Sequence, residues 1–256
     1  MISATNLRLA RAQGFELTVD EFLASQGKLV AIVGPNGSGK STLCSALCGA
    51  EKSVVSSVAI HGESISTRSA TALAQSRAVL PQSTPMSADF LVSDVVLLGA
   101  HAHAHRGKSA IDSLLAQITE WLELQSFLDR RISTLSGGQQ QRVHIARCLL
   151  QGLLADKAVM LFDEPVAALD VAWQHRVMQL LAGLAKSATV VTVLHELNLA
   201  LQYAGDVYVL KNGSIVARGN PAEVLTEDCL TATYGWPFSV LKEPQHLIYS
   251  LPNTQK

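Results

Sequence analysis

The 256-residue sequence has no apolar run that approaches the roughly 20 residues of a membrane-spanning helix. Its longest apolar stretches, residues 29–33 and 188–194, are only as long as β-strands. Arg8 and Arg11 also interrupt the short apolar start, so we expect no secretory signal peptide there. The chain is therefore not expected to cross a membrane by itself, and any membrane role would require a partner.

Charge and cysteine are sparse as well. Charged residues make up 16% of the chain, the net charge is −1, and no run of Lys and Arg could follow a phosphate backbone, so nucleic acid is not expected as a partner. The four cysteines show neither a CxxC nor a zinc-type spacing, which favours a reducing compartment. Cys44 and Cys48 share one face of a predicted helix and are expected to pack as small hydrophobes in the core.

Strand-like and helix-like segments alternate along the chain. Apolar runs rich in β-branched residues, at 28–33, 158–162 and 188–194, indicate strands that are buried on both faces. Helical patterns separate these runs, and such alternation is typical of an α/β fold with a parallel sheet. Residues 1–27 alternate only weakly, which predicts short, partly exposed antiparallel strands.

The pattern becomes mainly helical in the middle of the chain, and it is most clearly amphipathic over residues 112–124. We therefore predict one domain over residues 1–256. Its core comprises about residues 1–82 and 152–256, and a helical insert comprises about residues 83–151.

A glycine-rich loop follows the first buried strand and precedes a predicted helix. It has the full pattern G-x-x-x-x-G-K-[ST], formed by Gly34, Pro35, Asn36, Gly37, Ser38, Gly39, Lys40 and Ser41. Glycines let the backbone bend so that several N–H groups and the helix N-terminus face one anion. We expect Lys40 to neutralise the β- and γ-phosphates of ATP and Ser41 to bind Mg²⁺, and we count Thr42 among the nucleotide-binding residues.

Two acidic residues end the strand predicted at 158–162. Asp163 would lie at the carboxyl edge of the sheet beside the phosphate loop, where it can hold the Mg²⁺ shell. Glu164 follows at the strand tip, where it can orient or deprotonate an attacking water. The alternative is that both acids only cap the next helix.

The run Leu135-Ser136-Gly137-Gly138-Gln139 precedes a helical segment and lies far downstream of the phosphate loop. With the two motifs above, in this order, the sequence resembles the ATP-binding-cassette (ABC) ATPases over essentially the whole chain. The resemblance implies the ABC ATPase fold, which is a RecA-like P-loop core with an N-terminal antiparallel β subdomain and a helical insert. It also implies a head-to-tail homodimer, in which this run contacts the γ-phosphate bound by the opposite subunit. The residues concerned are Ser136, Gly137, Gly138 and Gln139.

Smaller motifs carry the same resemblance. Gln82 stands at the Q-loop position, which contacts Mg²⁺ and water and senses the membrane partner, and Asp170 matches the D-loop, which crosses the dimer interface. His195 matches the switch histidine that contacts the γ-phosphate, although a histidine at a strand end more often has only a structural role. Arg11 falls where the family has the aromatic residue that stacks on adenine, with Phe15 the nearest aromatic. Arg11 could stack through its guanidinium plane or could be only an exposed strand residue.

Further runs resemble the ATPases of importers for large ligands, at 77–82, 163–170, 195–200, 219–226 and Tyr234-Gly235. The resemblance implies two membrane-spanning permease subunits, a periplasmic substrate-binding protein that acts indirectly, and a peripheral location on the cytoplasmic face of the inner membrane. We predict haemin as the cargo, with cobalamin and ferric siderophores as alternatives. A rival from another class is a soluble ABC scaffold ATPase of iron–sulfur cluster assembly, which binds soluble partners.

Three histidines, His101, His103 and His105, alternate with alanine in the predicted helical insert. We expect them to lie in a polar loop. The alternative is a contact with metal or haem, because histidine is a common axial ligand of haem iron.

Overall fold

The computed structural model describes residues 1–11, 14–84, 88–241 and 247–250. The strands are β1 (Ile2–Ala10), β2 (Glu16–Ala24), β3 (Val30–Val33), β4 (Val58–Ile60), β5 (Glu63–Ser64), β6 (Arg77–Leu80), β7 (Val159–Asp163), β8 (Thr189–Val193), β9 (Asp206–Lys211), β10 (Ser214–Gly219), β11 (Phe238–Leu241) and β12 (Leu247–Ser250). The α-helices are α1 (Lys40–Leu47), α2 (Ala70–Ser76), α3 (Val92–Leu97), α4 (Lys108–Trp121), α5 (Gly137–Leu153), α6 (Val171–Leu184), α7 (Leu197–Tyr203), α8 (Pro221–Val224) and α9 (Glu227–Tyr234). Within the described ranges, no helix combines the length and the hydropathy that a membrane span requires.

One large sheet forms the centre of the described structure, with the strand order β5-β4-β1-β2-β10-β9-β3-β8-β7-β6. Strands β9, β3, β8, β7 and β6 are parallel to one another, whereas β1 pairs antiparallel with β2 and β4. The two parts meet where β2 and β10 pair at Thr18 and Ser214. The predicted α/β fold with an N-terminal antiparallel part is thus confirmed, although β1 and β2 are longer than expected, at 9 residues each.

The parallel strands are apolar because they bury side chains on both faces. In β3, Val30 and Ile32 join a core cluster that contains α1, whereas Ala31 and Val33 join the larger cluster that contains α5 and α6. The carboxyl ends of β3, β7 and β8 therefore lie side by side at one edge of the sheet, and the segments that follow these strands meet there.

Helices α3, α4 and α5 lie between β6 and β7, and the segment where the helical insert is predicted contains α3, α4 and most of α5. The three alternating histidines belong to this segment, but they do not lie in a loop, so that prediction is wrong. Residues Leu98–Arg106 form a 3₁₀ helix that packs on α5, and His103 is only 1% exposed. The Nε2 of His103 has no hydrogen-bond partner among the described residues, and burial lowers the pKa of the imidazole.

A shared metal or haem site for these histidines also gains no support. His101 and His105 are exposed while His103 is buried, and no group of three or more His, Cys, Asp or Glu side chains in the described part of the chain could hold a metal ion. Packing of its 3₁₀ helix on α5 accounts for the burial of His103.

The four cysteines are free thiols. Cys44 is 4% exposed and lies in the core cluster around α1, whereas Cys48 is only partly buried and donates its Sγ–H to the Ser45 carbonyl at 3.2 Å. Cys148 is fully buried, and burial raises the pKa of its thiol to about 12. A thiol with such a pKa stays protonated at neutral pH and acts as a small apolar side chain.

Candidate active site

A cleft of about 640 Å³ opens at the carboxyl edge of the parallel strands. Its lining draws on the N-terminal strands, the glycine-rich loop, the segment after β6 and the ends of β7 and β8. The lining residues are Arg11, Phe15, Asn36, Gly37, Gly39, Lys40, Ser41, Thr42, Gln82, Glu164 and His195. Except for Phe15, all of them are residues that the sequence predicted for the site, and the fold brings them together from distant positions in the chain.

The glycine-rich loop connects β3 to α1, and two of its glycines are required by close neighbours. Gly34 has φ +152°, and a Cβ there would lie 2.2 Å from the Leu210 carbonyl oxygen. Gly39 has φ +102°, and a Cβ there would lie 2.9 Å from Cζ of Phe15. Any larger side chain would move the loop away from the sheet, so these positions keep the backbone N–H groups gathered at the start of α1.

Lys40 is the first residue of α1 and is held by the loop itself. Its Nζ donates to the carbonyl oxygens of Gly34 and Pro35, at 2.8 and 3.0 Å. Burial lowers the pKa of the ammonium, while the negative charges of Glu164 and Asp163 oppose that shift. A buried cation fixed at the mouth of a loop lined with N–H groups suits a polyphosphate.

Ser41 lines the cleft and is hydrogen-bonded to the buried Asp163. The Ser41 hydroxyl donates to Oδ1 of Asp163 at 3.2 Å, and Asp163 is 5% exposed. Burial raises the pKa of Asp163, and the hydrogen bond from Ser41 partly offsets that shift. A hydroxyl and a carboxylate placed together are oxygen ligands of the kind that Mg²⁺ prefers, so the residues present fit this ion.

Glu164 and His195 face each other across the ends of β7 and β8. Nε2 of His195 donates to Oε1 of Glu164 at 2.5 Å. Glu164 has φ +54°, a left-handed conformation that costs energy for a residue other than glycine, and its N–H donates to the Val193 carbonyl at 3.2 Å. This turn directs the chain out of β7 so that both side chains line the cleft.

The two acids at the end of β7, Asp163 and Glu164, do not cap the next helix, which was the alternative reading of the sequence. The N-cap of α6 is Asp170, whose Oδ1 accepts from the Trp173 N–H at 2.9 Å. Glu164 and Asp163 are thus left to face the loop and the cleft, and Asp170 has a structural role within its own chain.

Gln82 and Arg11 both line the cleft. Gln82 is exposed, two residues beyond the end of β6. The guanidinium of Arg11 pairs with the Glu51 carboxylate, while the Phe15 ring lies against Gly39 of the loop. Phe15 is therefore the lining residue with a phenyl ring, and Arg11 is ion-paired with Glu51.

The run from Ser136 to Gln139 lies outside this cleft. Ser136 is the N-cap of α5 and forms a capping box with Gln139, in which the Gln139 N–H donates to Ser136 Oγ at 3.4 Å and the Ser136 N–H donates to Gln139 Oε1 at 2.9 Å. Ser136 and Gly137 are exposed, and a Cβ on Gly138 would lie 3.1 Å from the Ala168 carbonyl oxygen. The run therefore presents a helix N-terminus to solvent, away from the phosphate loop of its own chain.

A stack of aromatic and basic side chains, which the sequence did not predict, fixes the helix that follows this run. The Arg142 guanidinium of α5 lies 4.0 Å from the centre of the Trp173 ring in α6, and that of Arg176 lies 4.9 Å from it. Arg142 also donates to the Leu122 carbonyl at 2.7 Å. The stack joins α5, α6 and the end of α4, and its contact between Arg142 and Trp173 leaves no local pattern because these two residues are distant in sequence.

Comparison with a family profile and comparison with curated proteins give consistent results. A family profile described as ABC transporter matches residues 17–167. The hemin import ATP-binding protein HmuV of Deinococcus radiodurans is 39% identical over 246 residues, which cover 95% of this chain and 93% of that protein. HmuV of Escherichia coli O157:H7 is 38% identical over 249 residues, which cover 95% of this chain and 96% of that protein.

Comparison with solved structures finds the same kind of protein as the sequence comparisons. An ABC transporter of the metal-chelate type, in an inward-facing conformation, superposes with a TM-score of 0.81 at 28% identity. The superposition covers 99% of this chain and 98% of that one.

Proposed function

The chain belongs to the ABC transporter family and is an ATPase of that family, and we propose that it powers the import of haemin through a separate membrane permease. One observation supports the catalytic part of the proposal. A single cleft is lined by the phosphate loop, by Glu164 and by His195, so the groups that bind a triphosphate and the groups that activate water lie together.

We assign the binding of ATP to the loop between β3 and α1. The ammonium of Lys40 and the N–H groups at the start of α1 hold the β- and γ-phosphates. Phe15 stacks on the adenine at the other end of the cleft, because it is the aromatic ring there and because Arg11 is engaged by Glu51. The sequence had left open whether Arg11 stacks on the base or is only an exposed strand residue.

We assign Mg²⁺ to the Ser41 hydroxyl and the Asp163 carboxylate, with Gln82 at the edge of the same site. When bound, the ion offsets the negative charge on the phosphate oxygens. Burial raises the pKa of Asp163 although Lys40 and Ser41 lie beside it. A bound cation would favour the ionised form of this carboxyl group.

Hydrolysis then requires an in-line water. Glu164 orients this water and accepts its proton while the water oxygen bonds to the γ-phosphorus and the bond to the bridging oxygen breaks, releasing ADP. His195 holds the Glu164 carboxylate through its Nε2–H, and it contacts the γ-phosphate when the site is closed.

The exposed run from Ser136 to Gln139 completes the site of a second copy. Two chains pack head to tail, so that Ser136 and the N–H groups at the start of α5 face the γ-phosphate held by the partner. Asp170 lies close by, at the N-cap of α6, and the segment before it contacts Gly138. In this arrangement, neither chain has a complete site alone.

The transport partners follow from the family resemblance. The dimer binds two membrane-spanning permease subunits, and a periplasmic substrate-binding protein acts only through them. The chain is then a peripheral protein on the cytoplasmic face of the inner membrane. Closure of the dimer moves the permease through the segment around Gln82.

The cargo assignment depends on the relatives named as hemin import proteins, at 38–39% identity over 95% of this chain. The similarity to a metal-chelate type transporter favours a ferric siderophore or cobalamin as the second candidate. None of these neighbours favours a soluble scaffold ATPase.

The cargo can be tested with the complex in lipid nanodiscs. We expect ATP hydrolysis by the chain with its permease to rise severalfold when a haemin-loaded binding protein is added, and to stay at the basal rate with cobalamin-loaded or siderophore-loaded binding proteins. A complex with Lys40→Ala serves as the matched control for contaminating ATPases. Stimulation by another ligand alone would overturn haemin as the cargo and leave the ATPase assignment intact.

A further inference from the structure

The C-terminal hairpin of β11 and β12 packs beside the helix that follows the switch histidine. Its inner residue Ile248 is 6% exposed and belongs to the larger core cluster. The hairpin therefore belongs to the packed structure of the catalytic core.

Asn198 joins α7 to this hairpin through two reciprocal hydrogen bonds. Its Nδ2 donates to the Ile248 carbonyl at 3.0 Å, and its Oδ1 accepts from the Ile248 N–H at 2.8 Å. An amide side chain can supply a donor and an acceptor to the same residue, as a neighbouring strand would. Asn198 thus acts as one residue of an additional strand along the edge of β12.

The opposite edge of the hairpin is hydrogen-bonded at the residue that pairs with Ile248. Ile248 pairs with Val240 across the hairpin, and the Val240 N–H donates to Oε1 of Glu227, in the first turn of α9, at 2.8 Å. The backbone groups of this pair point outward to both sides. The hairpin is consequently fixed between α9 and α7, with Glu227 and Asn198 satisfying its two edges.

His195 lies between two fixed points of the chain. On one side, the Leu194 N–H donates to the Ile32 carbonyl at 3.0 Å and holds the end of β8 to β3. On the other side, Asn198 ties the first turn of α7 to Ile248. His195 and Glu196 are exposed between these points, so the place of the imidazole against Glu164 depends on both attachments.

We propose that Asn198 is a positioning residue for ATP hydrolysis, which sets His195 against Glu164 by fixing α7 to the C-terminal hairpin. The inference rests on the proposed function, because it assigns Asn198 an effect through His195. It also gives a structural role to part of the run 195–200, which the sequence singled out without assigning a residue other than His195.

A double-mutant cycle on the full-length chain tests this role. We expect Asn198→Ala to lower kcat about fivefold to tenfold, since small misplacements of catalytic groups have effects of that order or larger. The affinity for a non-hydrolysable ATP analogue should not change, because Asn198 is not among the residues that line the cleft. The double variant His195→Ala/Asn198→Ala should be no slower than His195→Ala, because Asn198 acts through the histidine.

Ser239→Ala is the matched control. It removes the hydrogen bond that Ser239 Oγ donates to Glu227 at 2.9 Å, on the α9 side of the hairpin, and leaves the Asn198 contacts in place. We expect its kcat to stay within twofold of the wild-type value. A comparable loss in Ser239→Ala and Asn198→Ala would show that any loosening of the hairpin has the same effect, and it would overturn the specific role of Asn198.

The experiment distinguishes failure of the proposed role of His195 from failure of the inference about Asn198. If His195→Ala hydrolyses ATP at the wild-type rate, the proposed role of His195 is wrong and the inference fails with it. If His195→Ala is slow but Asn198→Ala is not, or if the two losses multiply in the double variant, only the inference is overturned. Should Asn198→Ala fail to fold, Asn198→Asp keeps the acceptor for the Ile248 N–H, removes the donor, and enters the same cycle.

Discussion

Glu164→Gln is expected to abolish steady-state ATP hydrolysis while leaving ATP binding intact. Glutamine has nearly the shape of glutamate, and its Oε1 can still accept from Nε2 of His195, as the Glu164 carboxylate does at 2.5 Å. It cannot accept a proton from the attacking water. Because a positioned general base contributes about 10²–10⁴-fold, we expect kcat to fall at least a hundredfold.

The same variant should accumulate as a closed dimer with ATP between the two chains, if, as we propose, closure precedes hydrolysis and product release reopens the site. Size-exclusion chromatography with ATP and Mg²⁺ should show a dimer for Glu164→Gln and less of it for the wild-type chain. Glu120→Gln, which makes the same change on the exposed face of α4, is the control and should hydrolyse ATP normally. Wild-type turnover in Glu164→Gln would show that another group activates the water.

Lys40→Ala is expected to lose both ATP affinity and hydrolysis. The change removes the ammonium that the Gly34 and Pro35 carbonyls hold at 2.8 and 3.0 Å, and with it the cation of the phosphate loop. Loss of one preorganised hydrogen-bond donor to the charge that develops in the transition state typically lowers kcat by about 10²–10³-fold. The Lys40 ammonium also binds ATP before the reaction, so its loss should weaken ATP binding as well. We therefore expect kcat/KM to fall by at least that factor.

A fluorescent ATP analogue separates the two components for Lys40→Ala. The Kd of the analogue should be at least tenfold higher for Lys40→Ala than for the wild-type chain, since the variant loses the charged contact between the Lys40 ammonium and the phosphates. Lys186→Ala, at an exposed lysine after α6, removes the same charge away from the cleft and should leave Kd unchanged. Unaltered analogue binding in Lys40→Ala would contradict the assignment of the phosphate loop.

Most of the cleft could be predicted from the sequence because its residues occur in short local motifs. Lys40 and Ser41 follow a buried strand within one short motif, and Glu164 and His195 each follow the end of another such strand. Parallel strands bring their carboxyl ends to one edge, so three local patterns are enough to place these residues together.

Other features depend on the path of the chain over longer distances. Phe15, rather than Arg11, is the aromatic side chain that lies against Gly39 in the cleft, and a count back from the loop does not reveal that contact. His103 is buried because its 3₁₀ helix packs on α5, although alternation with alanine suggested a polar loop. The contact between Asn198 and Ile248 spans 50 positions and leaves no periodic signal.

Mixing two inactive variants tests the shared site, which is the central claim, most directly. Lys40→Ala disables the phosphate loop, and Ser136→Arg disables the exposed run at the start of α5, so each homodimer should be inactive. In a mixed dimer, one site combines both defects and the other combines an intact loop with an intact run. We predict that an equal mixture recovers about a quarter of the wild-type rate, because half of randomly paired dimers are mixed and each has one intact site of two. If the mixture stays as inactive as its components, the nucleotide is not shared between two chains and the account is contradicted.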